Sequence, residues 1–223
     1  MSWAFYHLVR AFFVPARAAC IREVVIGKGR VPREGPCILA VSHLSHLEPV
    51  FVSCNLSRPI RWMARVEHYQ TAWGRAFLNL CNAFSVDRFG NAAPAVRRAV
   101  RLLKSGEVVG LFPEGGCATG NDSVLRGGPI KGGAATIAIA TGAPIIPVVV
   151  LGTHTLNAVK PWLPTKSGQV WIAFGDELKP PARTKALSRK SQRQQLSAQL
   201  QQEFMATYRA LQTQSNLTDH QFP

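Results

Sequence analysis

The sequence predicts a single α/β domain: a largely parallel β-sheet flanked by helices, with an amphipathic helix at each end. Three observations predict it. Short apolar runs alternate with stretches of helical periodicity, the pattern of repeated β-α-β units. Hydrophobic residues are 47% of the 223 and charged residues only 17%, which supplies one core and excludes a disordered chain. The 18 Gly and 15 Pro imply many turns between short elements.

The first element is the stretch SWAFYHLVRAFFVPARAAC, apolar from Trp3 to Val14 but carrying Arg10, and followed by Arg17 and Arg22. A spanning helix needs ~20 apolar residues, and a cleavable signal carries its positive charge before the apolar run, not after it. Residues 1–20 are therefore expected to form an amphipathic helix. It either lies in the membrane interface, with Trp3, Phe5, Tyr6, Phe12 and Phe13 as anchors, or docks on the core; amphipathic patterning serves both. The expectation is a peripheral protein on the cytoplasmic side of a membrane, with no signal peptide and no transmembrane helix.

Residues 21–185 are expected to form the main domain. Strands are predicted near 37–42, 61–64, 83–87, 107–112, 144–151 and 169–175, and helices near 49–56, 72–81, 92–104 and 131–141, from apolar run length, β-branched content and flanking turn residues. A parallel sheet of this kind places ligand chemistry at the carboxyl ends of its strands. Residues 186–213 carry Leu196, Leu200, Phe204, Tyr208 and Leu211 at spacings of three or four, one face of a helix. The remaining residues, 214–223, read as a disordered tail.

Lys and Arg number 26 against 12 Asp and Glu, a formal charge of +14, which favours an anionic partner: nucleic acid, a membrane surface or a phosphorylated small molecule. Nucleic acid is not expected, because no zinc-finger spacing, RNA-binding signature or aromatic-basic ladder accompanies the charge. Five widely separated cysteines without a CxxC pair argue against a disulfide framework or a zinc site and fit a reducing compartment.

Chemistry concentrates first in VSHLSHLEPVF, residues 41–51. Pro49 suits the first helical position, which puts Glu48 at the helix N-cap and His43 at the strand end. The loop Leu44 to Leu47 then folds the carboxylate back toward the imidazole. A carboxylate on one ring nitrogen fixes the tautomer and leaves the other free to take a proton from an alcohol. Two other readings stand beside it: a metal held by His43, His46 and Glu48, although HxxHxE matches no zincin spacing, and plain structural histidines.

Downstream, GEVVGLFPEGG, residues 106–116, is a buried strand that delivers Glu114 and Gly115 into a glycine-rich loop. Lys131 precedes a small-residue helix, and NAFSVDR ends a strand with Arg88. In this order the blocks resemble the glycerolipid acyltransferase family, whose best-known members act on lysophosphatidic acid. The family's histidine, four residues, then acid is matched by His43 to Glu48; its strand-end arginine by Arg88; its Phe-Pro-Glu-Gly by Phe112 to Gly115; its lysine-glycine and Pro-Val strand by Lys131-Gly132 and Pro147-Val148.

The resemblance, over residues 37–152, implies transfer of a fatty acyl group from acyl-CoA or acyl carrier protein to the hydroxyl of a lysophospholipid or related glycerolipid, at an anionic membrane surface. It implies His43 as general base, Glu48 as its orienting acid, and Arg88, Glu114, Gly115 and Lys131 as acceptor-binding residues. No metal and no cofactor beyond the acyl donor is expected. The sequence departs from the family at three places. Glu48 stands where the family has aspartate, Ser42 where it commonly has asparagine, and Gly116-Cys117-Ala118 where it has threonine-arginine-serine. Arg126 is a candidate substitute for the missing arginine. These departures leave three alternatives: a less charged lipid acceptor, a thioester hydrolase using Cys117, and a lipid-binding homologue without turnover.

Overall fold

The computed structural model describes residues 21–87, 90–156, 158–159, 163–164, 167–181 and 188–217. The expected helix over residues 1–20 and the expected contact Arg88 lie outside them. Seven strands form one sheet in the order β1-β9-β6-β2-β5-β3-β4. In chain order the elements are β1 (Ile21–Ile26), β2 (Cys37–Val41), α1 (Glu48–Asn55), β3 (Ile60–Arg65), α2 (Ala72–Leu80), β4 (Phe84–Val86), α3 (Ala93–Lys104), β5 (Val108–Leu111), α4 (Gly133–Thr141), β6 (Ile145–Leu151), the short hairpin β7 (Ala158–Val159) and β8 (Leu163–Pro164), β9 (Gly168–Phe174) and α5 (Arg189–Ser215). The pairs β6-β2, β2-β5, β5-β3, β3-β4 and β1-β9 are parallel, and β6-β9 is antiparallel.

The central strands explain themselves. Every residue of β2, β5 and β6 is buried, as befits strands covered on both faces. Alternation then assigns each side chain to a layer. Ile145, Val149 and Leu151 of β6 join Ile38 and Ala40 of β2 in a core beneath α3, α4 and α5, which includes Leu196, Leu200, Phe204, Tyr208 and Leu211. Ile146, Val148 and Val150 join Leu39 and Val41 in a second core on the opposite face, against Phe51 and Val52 of α1.

Three features differ from the sequence expectations. The strand β1 was not foreseen; Arg22 and Glu23 interrupt its apolar pattern, and it is a half-exposed edge strand pairing along its whole length with β9. Glu48 is the first helical residue rather than the cap, with Leu47 at the N-cap in a helical conformation and Pro49 one position later. The C-terminal helix extends to Ser215, so residues 214 and 215 belong to it and not to a tail. Ser188 Oγ caps its start by accepting from Ser191 N–H, and Asn216 ends it in a left-handed conformation at φ 49°, a position asparagine tolerates.

Part of the large positive charge is spent inside the fold. Arg58 donates to the carbonyls of Pro32, Gly35 and Gly106, Arg30 to that of Phe174, and Arg61 pairs with Glu107 and Asn82. Among the described residues, no helix is long and apolar enough to cross a membrane.

Candidate active site

The chain leaves β2 toward α1 and β3 on one side, and leaves β5 over β2 to reach β6 on the other. The carboxyl ends of the neighbouring strands β2 and β5 therefore face a crevice at a topological switch point, where open α/β sheets bind ligands. Ser42 fixes the end of β2: its N–H donates to Val148 O at 3.0 Å and its buried hydroxyl accepts from Val150 N–H at 3.0 Å. His43 follows immediately and stands at the crevice.

Glu48 turns back as its spacing predicts. Its Oε2 accepts from His43 Nδ1 at 3.1 Å, while Oε1 accepts from Ser45 N–H at 2.8 Å and Thr153 Oγ1 at 2.6 Å. The carboxylate is fully buried, and those three donors replace its water. A carboxylate only accepts, so Nδ1 carries the proton and the other ring nitrogen, Nε2, faces the crevice. Thr153, also fully buried, was missed from the sequence; the only signal was a hydroxyl residue two positions beyond the strand that ends at Leu151.

Loop 112–118 grips His43 from the other side. Glu114 Oε2 accepts from the His43 backbone N–H at 2.7 Å, and Oε1 accepts from Val124 N–H at 2.9 Å and Ser123 Oγ at 3.2 Å. Ala118 N–H donates to His43 O at 2.9 Å. The Glu114 carboxylate thus holds the histidine backbone and the 123–124 turn together. Burial pushes its pKa up against the pull of these hydrogen bonds.

The imidazole lies on the ring of Phe112, centroids 3.9 Å apart and planes 21° from parallel, and Phe112 lies on Trp62 at 5.5 Å and 17°. The stack needs Gly110, where a Cβ would come within 2.6 Å of Trp62 Cε3. Gly115 is called for by its φ of +77°, and a Cβ there would lie 2.7 Å from Lys131 Nζ and displace that side chain. The Lys131 backbone N–H in turn donates to Pro113 O at 2.8 Å. The structure thus brings Lys131 and Gly115 together beside Glu114. Arg126 is exposed and ends the short turn Val124–Arg126 that Glu114 holds.

Cys117, exposed at the loop tip, places Sγ 3.6 Å from His43 Nε2. Burial lowers the His43 pKa, but hydrogen bonds to Cys117 and Glu48 together with their charges push it up to about 9. His46 stands edge-on to His43, ring centroids 5.9 Å apart. One ligating atom each from His43, His46 and Cys117 lie within 4.8 Å of one another; Glu48, given to a metal in one reading of the sequence, is not of that group and is spent on the imidazole.

A family model described as acyltransferase matches residues 22–151. A 1-acyl-sn-glycerol-3-phosphate acyltransferase of Bacillus subtilis is 33% identical over 155 residues, covering 69% of this chain and 72% of that protein. One of Borreliella burgdorferi is 26% identical over 139 residues, 61% of this chain and 54% of that protein, so the chain spans about half the length of the latter. The crystal structure of the 1-acyl-sn-glycerophosphate (LPA) acyltransferase from Thermotoga maritima shares the fold, with a TM-score of 0.69 at 20% identity over 96% of this chain and 80% of that one.

Proposed function

The chain belongs to the acyltransferase family, and from that premise we propose that it moves a fatty acyl group from a thioester donor to the free hydroxyl of a 1-acyl-sn-glycerol-3-phosphate or closely related lysolipid. The single observation that carries the reading is the His43-Glu48 pair, 3.1 Å apart at the carboxyl end of β2. In this reading His43 Nε2 is the general base that removes the proton from the acceptor hydroxyl as its oxygen attacks the thioester carbonyl, an assistance worth typically ~10²–10⁴-fold. Glu48 is the positioning residue: it fixes the ring and stabilises the imidazolium that forms.

Lys131, held at the crevice over Gly115, supplies the cation for the acceptor's phosphate, and Arg88 is proposed as a second. Glu114 positions the His43 backbone and keeps its proposed place among the acceptor-binding residues. The donor is acyl-CoA or acyl carrier protein, whose anionic character suits the basic chain. Membrane attachment is assigned to residues 1–20, with their aromatic side chains and Arg10 and Arg17, because these acceptors reside in a bilayer. Cys117 stands where the family has arginine, which favours a second reading with a less charged headgroup.

The test uses the full chain with either donor and a panel of lysolipids in vesicles. Diacyl product that disappears in His43→Ala is expected, with 1-acyl-sn-glycerol-3-phosphate the preferred acceptor. Product forming in His43→Ala at the parent's rate would overturn the reading, and vesicle binding without product would identify a lipid-binding homologue.

A further inference from the structure

We propose that Cys117 is a nucleophile of this enzyme, receiving the fatty acyl group from the thioester donor on its own sulfur before the group passes to the acceptor hydroxyl. The inference rests on the acyl-transfer reading of His43 and Glu48 and deepens it.

The geometry is that of a relay in series. Glu48 Oε2 holds His43 Nδ1 at 3.1 Å, and His43 Nε2 meets Cys117 Sγ at 3.6 Å, a usual separation for a sulfur hydrogen bond. Carboxylate, imidazole and thiol thus stand in the order that activates a cysteine nucleophile. The ring nitrogen that a direct mechanism reserves for the acceptor hydroxyl already has a nucleophile hydrogen-bonded to it. Exposure agrees: Cys37 and Cys54 are buried in the core, whereas Cys117 is exposed at the crevice. A thiol also surrenders its proton far more readily than an aliphatic alcohol and is intrinsically the better nucleophile.

The chemistry balances without any further reactant. Nε2 takes the Cys117 proton as Sγ attacks the donor's carbonyl carbon. The bond from that carbon to the donor sulfur breaks, and the imidazolium returns the proton to the departing thiol, leaving acyl-Cys117. One thioester has replaced another. The acceptor oxygen then attacks the acyl-Cys117 carbonyl while Nε2 removes its proton; the carbon–sulfur bond to Cys117 breaks, and the proton passes to Sγ. Free donor thiol and an ester are the products.

Both half-reactions use Nε2 first as a base toward the attacking group and then as an acid toward the departing sulfur. Burial lowers the His43 pKa while the bonds to Cys117 and Glu48, with their charges, raise it to about 9, which suits a base that takes the thiol's proton and holds it for the departing donor sulfur. Acylating the sulfur removes the Cys117 contribution, and the ring moves toward the neutral form needed when the acceptor attacks.

The experiment incubates the full chain with radiolabelled palmitoyl-CoA, and in a separate arm with radiolabelled palmitoyl-acyl carrier protein, without acceptor, and quenches in acid. Label should remain on the protein in at least one arm, be released by neutral hydroxylamine, and map by peptide mass spectrometry to Cys117. Cys117→Ala, with a melting temperature equal to the parent's, should carry none and should transfer at least about 100-fold more slowly when acceptor is added. Absence of label at Cys117 in both arms overturns the proposal, as does Cys117→Ala turnover within about twofold of the parent. The two readings fail differently: product that needs His43 but not Cys117 removes only the relay, while product that needs neither removes the acyl-transfer assignment itself.

Discussion

Thr153 Oγ1 donates to Glu48 Oε1 across 2.6 Å, with both side chains fully buried. Only because Oε1 is held this way, and by Ser45 N–H, does Oε2 point at His43. Thr153→Val keeps the volume and removes the donor. It should cost ~1–3 kcal/mol in denaturant unfolding, the usual penalty for a buried polar group left short of a partner. It should also lower kcat more than it changes KM, since the imidazole loses orientation and the acceptor loses no contact. A variant with the parent's kcat would show that Thr153 only supports the fold.

Glu48→Gln separates charge from shape. The amide presents one acceptor and two donors where the carboxylate serves three donors, so it either offers its NH2 to Nδ1 and inverts the tautomer or opposes Ser45 and Thr153. Turnover should fall by ~10²-fold or more, with far-ultraviolet circular dichroism unchanged. A rate equal to the parent's would remove Glu48 from the mechanism.

At Gly115 the positive φ and the proximity of Lys131 act together. Gly115→Ala adds a Cβ in a left-handed conformation, at a cost of roughly 1–2 kcal/mol, and forces the Lys131 side chain from its place. The expected result is a raised KM for a phosphorylated lysolipid and a smaller change for an uncharged one. Equal changes for both acceptors would mean that Lys131 does not read the phosphate.

The His43 environment also predicts a pH signature in stability. The folded-state pKa of about 9 exceeds the ordinary 6.5, so folding favours the protonated ring. That contribution is complete below pH 6.5 and is lost as pH rises through about 9; with ~1.4 kcal/mol per pKa unit it amounts to roughly 3 to 4 kcal/mol. Stability measured by denaturant titration should decline over this window in the parent and stay flatter in His43→Asn. Parallel curves would show that the raised value does not arise at His43.

The sequence alone determined what local chemistry can determine. Apolar runs bounded by turn residues place the central strands to within a residue or two, since a strand buried on both faces has little compositional freedom. The His43-Glu48 pair was legible because one short loop and one helix with Pro49 in its first turn set its geometry. Only the tertiary structure decided which loops face one another. The edge strand β1, the bond from Thr153 to Glu48, the grip of Glu114 on the His43 backbone, and Cys117 at the imidazole all join segments distant in the chain. The last three follow from the strand order that sets β2 between β5 and β6, and the first from the pairing of β1 with β9 at the sheet edge. Periodicity tells a residue which face of its strand it occupies; it carries no information on which strand lies alongside, and that neighbour supplies the partner.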